Sequence, residues 1–185
     1  MNTADIFASA TTTGTDAHAT TTGTDAHALT AGYSAHATTA GKDAHAITTG
    51  NDAHATATGG HAHATTAGHF SHATTVGDDA HATTAGNGSH ALTAGDYAHA
   101  TTTGRLAHAL TAGDRAKTSA TGENAIAVAV GANSYARAAN GGFIVLAQYD
   151  GDTVVAVKTA QVGKDGIKPD TWYKLSPTGE FVEAE

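Results

Sequence analysis

Glycine recurs every nine residues along most of this chain. The series begins at Gly14, continues through Gly23 and Gly32, and reaches Gly131 after fourteen glycines without a gap. The repeating unit reads T-T-(A/T)-G-x-x-A-H-A, as in the segment 11–19. A short, fixed period is typical of solenoids, in which each repeat is one structural unit that stacks on its neighbours. The strict register therefore favours an ordered repeat fold over disorder.

Each nonad predicts one short strand and one tight turn. The segment x-A-H-A-T-T-A forms the strand, and G-x-x forms the turn because glycine adopts positive φ angles readily. Two nonads make a coil of eighteen residues, so fourteen nonads predict about seven coils. The predicted fold class is all-β: a parallel β-solenoid of nine-residue repeats with a small C-terminal β-rich cap. The predicted turn glycines are Gly14, Gly23, Gly32, Gly41, Gly50, Gly59, Gly68, Gly77, Gly86, Gly95, Gly104, Gly113, Gly122 and Gly131.

Three regions of the chain differ in composition. Residues 1–10 are a short lead-in, residues 11–139 form the repeat body, and residues 140–185 lose the repeat. The last region holds the only Trp, both prolines and the apolar runs 143–146 and 153–157. Such runs between turn residues indicate strands. We expect them to form a cap that closes one end of the solenoid, as repeat arrays require.

Composition and charge exclude several classes of function. The net charge of −8 argues against a nucleic-acid partner, because phosphate binding relies on Lys and Arg. The chain has no cysteine, which excludes disulfides and thiol chemistry. It has no apolar run long enough to span a membrane and no signal peptide at its start. We therefore expect no membrane partner and no export by the usual signal.

Strand alternation sorts the repeat residues into two faces. One face stays small in every repeat, as at Ala17, Ala19 and Thr21, whereas the other varies, with His18 replaced by Lys117 in a later repeat. A uniformly small face suits a thin interior between two closely spaced sheets. We therefore expect the histidine face to point outward; a stack of histidines in the interior is the alternative.

Apolar residues interrupt the outward face at intervals of eighteen. Leu29 precedes Ile47 by one coil, and Leu92 precedes Leu110 in the same way, so each pair is predicted to stack. The run 126–130 has the same outward parity and is interpreted as the seat of the cap. The two leucine and isoleucine patches favour protein contact as the use of this face.

Histidine occupies the same slot in eleven consecutive nonads. In an eighteen-residue coil, successive histidines fall on opposite sheets and form two columns. The candidate interaction face consists of ten of these histidines with two leucines: His18, His27, His36, His45, His54, His72, His81, His90, His99, His108, Leu92 and Leu110. The favoured interpretation is a structural ladder of imidazoles that stack and hydrogen-bond with one another.

Metal binding and a pH response are the alternative interpretations of the histidines. Imidazole is a common ligand for Zn, Cu and Ni, and His61 with His63 forms the best local pair. A structural zinc needs four convergent ligands, however, so we expect no bound metal and no other cofactor. Protonation of all thirteen histidines would change the net charge from −8 to about +5 (−8 + 13), and stacked neighbours would resist charging together.

No catalytic motif stands out from the repeat. The nonads lack the paired glycines of calcium β-roll repeats, and the slot for the calcium-binding Asp also holds Phe70 and Leu106. Residues that recur identically in every coil differ from an active site, which needs one unique geometry. We therefore expect that the chain is not an enzyme.

Two protein families share features with this chain. The segment 29–41, which contains A-G-Y-S-A-H-A-T-T-A-G, resembles the repeats of bacterial ice-nucleation proteins, a family of β-solenoids with Thr-rich faces that order water. This chain differs from that family in its period and in placing His-x-Thr where those proteins have Thr-x-Thr. The resemblance implies a flat Thr/His face that binds ice or orders water.

The repeat body and the tail together resemble uncharacterised proteins of phages and prophages. Those proteins carry related nonapeptides and end in a segment like 162–173, with its G-I-K-P-D-T-W-Y sequence, followed by a turn and 179–182. The segment 122–131 also resembles, more weakly, the head repeats of trimeric adhesins. The phage resemblance implies a phage or prophage accessory protein, without a known function to carry over. The location is not fixed by the sequence, and the missing signal peptide favours a cytoplasmic protein or one released with a phage particle.

These observations favour a non-enzymatic scaffold or binding surface that associates with itself. The ten lead-in residues are too few to cover an open strand edge, and open edges invite pairing. We therefore predict end-to-end dimers or short filaments through the N-terminal end. The partner protein, if there is one, is unknown. An ice-binding protein is the second candidate, and a metal binder based on the histidine columns is the third.

Overall fold

The computed structural model describes residues 7–184, so part of the predicted lead-in, residues 1–6, lies outside the described residues. Within that range the chain consists of nineteen β-strands joined by turns, without a helix long and apolar enough to cross a membrane. The strands of the first half are β1 Ser9–Thr13, β2 His18–Thr22, β3 His27–Ala31, β4 His36–Ala40, β5 His45–Thr49, β6 His54–Thr58, β7 His63–Ala67, β8 His72–Val76, β9 His81–Ala85 and β10 His90–Ala94. The remaining strands are β11 His99–Thr102, β12 His108–Ala112, β13 Lys117–Ala120, β14 Ile126–Ala129, β15 Tyr135–Ala138, β16 Phe143–Asp150, β17 Thr153–Gln161, β18 Trp172–Leu175 and β19 Phe181–Ala184.

The strands form two sheets, and consecutive strands of the repeat alternate between them. Sheet A has ten strands in the order β1-β3-β5-β7-β9-β11-β13-β15-β18-β19, and sheet B has nine in the order β2-β4-β6-β8-β10-β12-β14-β16-β17. Neighbouring repeat strands pair in parallel with a register of eighteen residues, as His27 with His45 in sheet A. The predicted parallel β-solenoid with two nonads per coil is confirmed.

The parallel part of the solenoid makes about eight turns, one more than the repeat count predicts. At the N-terminal side Ser9 takes a histidine slot and pairs with His27, so β1 adds a strand before the first full nonad. At the other side Phe143 pairs in parallel with Ile126, so β16 adds a strand after the last nonad. These two strands fit because the backbone can continue the ladder even where the nonad motif has ended.

The interior between the sheets is built from alanine and threonine. Ala28 and Thr30 of β3 are buried, and the equivalent residues of nearly every repeat strand are buried too. The predicted small interior, with histidine pointing outward, is confirmed. Because these side chains are short, each strand contributes little apolar area, and the stability comes from many repeated contacts and from the continuous hydrogen-bond ladders.

Each turn combines the repeat glycine with a left-handed residue two positions later. Gly50 has φ +140°, and a Cβ on it would lie 1.9 Å from the carbonyl oxygen of Gly32 in the preceding coil. Glycine is therefore required as much by the close stacking of the turns as by its φ angle. Two residues after Gly50, Asp52 has φ 55°, a conformation that Asp tolerates. Phe70 and Leu106 occupy the equivalent position with φ 57° and 56°, where bulky side chains are strained.

The C-terminal region ends both sheets with antiparallel pairs. The strand β17 pairs antiparallel with β16 in sheet B, while β18 pairs with β15 and β19 in sheet A. Ile144 and Leu146 of β16 point into the interior, where Val162, Ile167 and Tyr173 complete a larger apolar cluster. This cluster closes the C-terminal end of the alanine-threonine core.

Candidate interaction faces

The histidines form two straight columns, one on the outer face of each sheet. Five histidines stand on sheet A from β3 to β11, and six stand on sheet B from β2 to β12. Neighbouring rings along most of each column are 4.7–4.9 Å apart and nearly parallel, with interplanar angles of 2–7°. The predicted stacking is confirmed. Imidazole N–H bonds lie in the ring plane, so face-to-face rings do not aim a donor at one another. The predicted hydrogen bonds between column imidazoles are absent among residues 7–184.

Most of the stacked imidazoles are half-buried and resist protonation. Burial lowers the pKa of His36, His45, His63, His72, His81, His90 and His99 below the ordinary value of 6.5. Neighbouring histidines of the same column lower the pKa of six of these groups further, because positive charges one strand apart repel. At the end of the sheet A column, the ammonium group of Lys117 acts on His99 in the same direction.

The sheet B column changes character at its C-terminal end. The ring of His108 is turned edge-on to His90, at 72°, whereas the rings before it stack flat. The next residues in the same column are apolar, Ile126 and then Phe143. The imidazole ladder therefore runs directly into an apolar surface.

An apolar strip lies beside that end of the histidine column. In the middle outward slot, Leu92 stands next to Leu110, then Val128 and Val145, on four successive strands of sheet B. We call these four residues together with Ile126 the apolar strip. By contrast, the pair of Leu29 and Ile47 on sheet A has the polar neighbours Thr11 and Thr65.

A shallow groove runs between the apolar strip and the histidine column. Its volume is about 390 Å³. The groove is lined by His72, Thr74, His90, Ala91, Leu92, His108, Ala109, Leu110, Ile126 and Val128. None of these side chains is a carboxylate, an ammonium or a guanidinium group, so the groove is apolar apart from one threonine hydroxyl and the imidazole edges.

The apolar run at β14 contacts the C-terminal region through its strand edge. The sequence interpretation made the run 126–130 a seat for the cap, with side chains covered by it. Instead β16 lies beside β14 in the same sheet, and the outward side chains of Ile126 and Val128 stay partly exposed in the groove wall. The Tyr149 hydroxyl donates to the Val130 carbonyl at 2.7 Å, just after β14.

The two histidines proposed as a metal-binding pair belong to different parts of one coil. His61 lies in the turn before β7 with φ 57°, and His63 is the first residue of that strand. The two imidazoles are near enough for His61 to lower the pKa of His63, while the carboxylate of Asp43 raises it. Among residues 7–184 no group of three or more His, Asp or Glu side chains is arranged to hold a metal ion.

A cluster of cations and aromatic rings covers the C-terminal end of sheet A. The Arg137 guanidinium lies 4.6 Å from the centre of the Trp172 ring, and the Lys117 ammonium lies 5.6 Å from the Tyr135 ring. Arg137 also donates from Nε to the Ser119 hydroxyl at 2.9 Å. Sequence reasoning missed this cluster, although an eighteen-residue spacing links Lys117 to Tyr135 and Ser119 to Arg137 and could have revealed those two contacts.

A ladder of carboxylates follows one row of turns. The backbone N–H of Asp96 donates to Asp78 Oδ1 at 3.1 Å, and that of Asp114 donates to Asp96 Oδ1 at 2.8 Å. Asp114 in turn accepts from the N–H of Ala132 at 2.9 Å. Each side chain thus satisfies a backbone group of the next coil, which gives these acids a structural role.

The likeness to phage and prophage nonapeptide proteins and the likeness to ice-nucleation repeats both stay predictions. Comparison with protein-family models, with characterised proteins and with solved structures finds no match for this chain.

Proposed function

We propose that this chain is a non-enzymatic, self-associating scaffold of phage or prophage origin whose interaction surface is the apolar strip of sheet B. The observation that carries the proposal is the alignment of Leu92, Leu110, Val128 and Val145 on successive strands, with Ile126 beside them. Leu92 is 38% exposed, and the other four residues of the strip are partly exposed. Contiguous apolar surface that solvent reaches is typical of protein contact sites.

The repetition of the surface supports a structural role over a catalytic one. From β2 to β12 the first outward slot of each strand presents the same imidazole, and the carboxylates of Asp78 and Asp96 accept hydrogen bonds from backbone N–H groups. Catalysis needs a unique constellation of groups with different roles. A surface that repeats itself instead suits a partner with the same repeat.

The partner that best fits the strip is a second copy of this chain. The side-chain rows repeat at the strand spacing of about 4.8 Å, and another copy has rows with the same spacing. Two outer faces of sheet B could pack at roughly 10 Å, the usual distance between stacked sheets. The absence of charged groups from the groove lining removes the main source of repulsion between two identical faces.

Pairing through the N-terminal end is a second contact within this proposal. Within residues 7–184, β1 pairs only with β3 and β2 only with β4, so each has one edge without a strand partner. Unpaired edges can template the addition of another chain. This contact would join molecules end to end, whereas the strip would join them face to face.

Sedimentation velocity with a lysine in the strip tests the proposal. We expect the wild-type protein to associate at pH 8 without added zinc and Leu110→Lys to form smaller species, because a buried ammonium group in the contact is unfavourable. The matched control is Thr65→Lys, which places the same charge in the middle outward slot of sheet A. A monomeric wild-type protein, or equal behaviour of the two variants, would refute the proposed surface.

The same measurement at pH 5.5 and with zinc separates the histidine hypotheses. Loss of association at pH 5.5 would assign a regulatory effect to the imidazoles that wall the groove. Association that requires zinc would instead favour the metal-binding candidate and would count against the strip as the primary contact.

Ice binding is the second candidate function, supported by one row of threonines. Thr20, Thr38, Thr56 and Thr74 stand in the middle outward slot of four successive strands of sheet B. Leu92 and Leu110 end this row on the following strands. Thermal hysteresis measured with and without Thr38→Val and Thr56→Val tests it: an ice binder should lose activity, and an inactive wild-type protein excludes this function.

A further inference from the structure

The last strand of sheet B, β17, is a long edge strand with an exposed apolar composition. It spans nine residues, whereas the repeat strands span four or five. Val154, Val155 and Val157 are 50%, 53% and 58% exposed. Within residues 7–184 its only strand neighbour is β16. The opposite edge of β17 therefore has no strand partner in the described part of the chain.

The backbone of β17 presents hydrogen-bonding groups at that edge. Val162 directly follows the strand. Its N–H donates to the Gly142 carbonyl at 2.9 Å, and its carbonyl accepts from the Gly141 N–H at 3.1 Å. Both polar groups of Val162 therefore point towards the side of the strand on which β16 lies. Along an extended strand these groups alternate between the two sides. The N–H and C=O groups of Val157 and Thr159 consequently point away from β16.

The strand has few of the features that protect edge strands from pairing. It contains no proline, and its only charged side chain is Lys158. The register irregularity opposite Gln148 and Tyr149 lies near its start and leaves the part from Val157 onward regular. The other C-terminal edge, β19, is shorter and carries Glu183, both of which discourage pairing.

We propose that β17 pairs antiparallel with β17 of a second copy across a two-fold axis. An axis through Val157 places Lys158 opposite Ala156, and an axis through Ala156 places it opposite Val154. Neither register sets two lysines directly opposite each other, the arrangement in which like charges are most unfavourable. The two sheets B, each of nine strands, become one continuous sheet, and their outer faces lie on the same side.

This inference rests on the proposed self-association and adds a contact different from the apolar strip. The strip joins copies face to face, whereas β17 joins them edge to edge through backbone hydrogen bonds. An isologous edge contact of this kind closes after two copies. The two contacts can therefore be removed separately and their effects distinguished.

A proline at an outward-facing N–H of β17 tests the edge contact. Val157→Pro removes one N–H that points away from β16 and keeps the bonds within the sheet, and edge strands tolerate proline at such positions. The control, Val157→Thr, keeps the N–H and the β-branched shape. Both are measured by sedimentation velocity in the Leu110→Lys background, where the face contact is absent.

The expected result is a dimer for Leu110→Lys and for its combination with Val157→Thr. Adding Val157→Pro should weaken dimerisation by about tenfold or more, because two hydrogen bonds are lost per symmetric dimer. A monomeric Leu110→Lys protein would overturn the edge contact while supporting the strip. A Leu110→Lys protein that matches wild type and is dissociated by Val157→Pro would support the edge contact and refute the strip.

A single cysteine provides a readout that does not depend on proline tolerance. The chain has no cysteine, so Val157→Cys introduces the only thiol. A short bismaleimide should link two copies of Val157→Cys covalently and leave Thr65→Cys, on the outer face of sheet A, unlinked. Thr11→Cys reports on the N-terminal edge by the same assay. Absence of a covalent dimer for Val157→Cys would overturn the proposal.

Discussion

Replacing Gly50 by alanine is expected to destabilise the solenoid by forcing two coils apart. The new Cβ would lie 1.9 Å from the carbonyl oxygen of Gly32, whereas real Cβ contacts stay above 3.0 Å, so the coils must separate by about 1.1 Å. The obstacle is backbone of the preceding coil, which cannot rotate away as a side chain could. The φ angle of +140° also disfavours any L-residue with a side chain.

The separation disrupts hydrogen bonds on both sides of the turn. The Gly32 N–H donates to the Thr49 carbonyl at 2.9 Å and the Ser34 N–H to the Asn51 carbonyl at 3.0 Å, and an added 1.1 Å takes both beyond bonding distance. Each bond contributes about 0.5–1.5 kcal/mol net, and the backbone strain adds about 1 kcal/mol. The expected loss in the free energy of unfolding is therefore about 2–4 kcal/mol.

Urea unfolding followed by circular dichroism measures this loss, and Gly60→Ala is the matched control. Gly60 follows the turn glycine Gly59, and a Cβ there would meet nothing within 4 Å. Alanine at this position should be neutral or should stabilise the fold by about 0.5 kcal/mol, because it reduces the conformational entropy of the unfolded chain. The stacking argument is refuted if Gly50→Ala unfolds within about 0.5 kcal/mol of wild type.

Three further predictions concern protonation, turn conformation and the carboxylate ladder. Seven column histidines have a folded-state pKa below 6.5, so the unfolded chain binds more protons than the folded chain near that pH. Acid therefore favours unfolding, and Tm should fall from pH 8 to pH 5. Because histidine is already neutral above pH 8, Tm should stay constant from pH 8 to pH 9. Leu106→Asn should raise the free energy of unfolding by about 1 kcal/mol, since Asn tolerates φ 56° better than Leu; an unchanged urea midpoint would contradict this. Asp96→Ala should cost about 1 kcal/mol because the Asp114 N–H loses its acceptor, whereas Asp96→Asn should keep the bond; equal midpoints for the two variants would contradict this.

The architecture was accessible from the sequence because a single period determines the backbone. Glycine at every ninth position leaves one repeating path, and the two-residue alternation assigns Ala28 and Thr30 inside and His27 outside. The same arithmetic predicted that Leu92 stacks on Leu110, since a strand pairs with the strand eighteen residues away. Every repeated contact of this kind follows from local pattern and register alone.

The structural features that the sequence did not predict lie at the C-terminal end of the repeat body. β16 continues the parallel ladder although the turn before it is one residue shorter, so that Phe143 pairs with Ile126 seventeen residues earlier. The position of Trp172 beside Arg137 depends on β18 joining β15 in the antiparallel direction, and no nonad encodes that step. Long-range pairings of this type leave no local periodic signal.

The departures from the repeat are the basis of the proposed interaction surface. The inner slots of a solenoid with an eighteen-residue coil tolerate only small side chains, so variation is confined to the outward slots and the turns. Because alternate nonads belong to the same sheet, Leu92 and Leu110 lie side by side in sheet B. Thr101, in the nonad between them, belongs to sheet A. Val128 and Val145 extend the same row on the next two strands. The outward apolar pair on sheet A, Leu29 and Ile47, covers only two strands, whereas this row continues over four strands of sheet B and ends next to the edge strand β17. A row of that length on one face supports the proposed contact, in which another copy of the chain, whose rows have the same spacing, covers it.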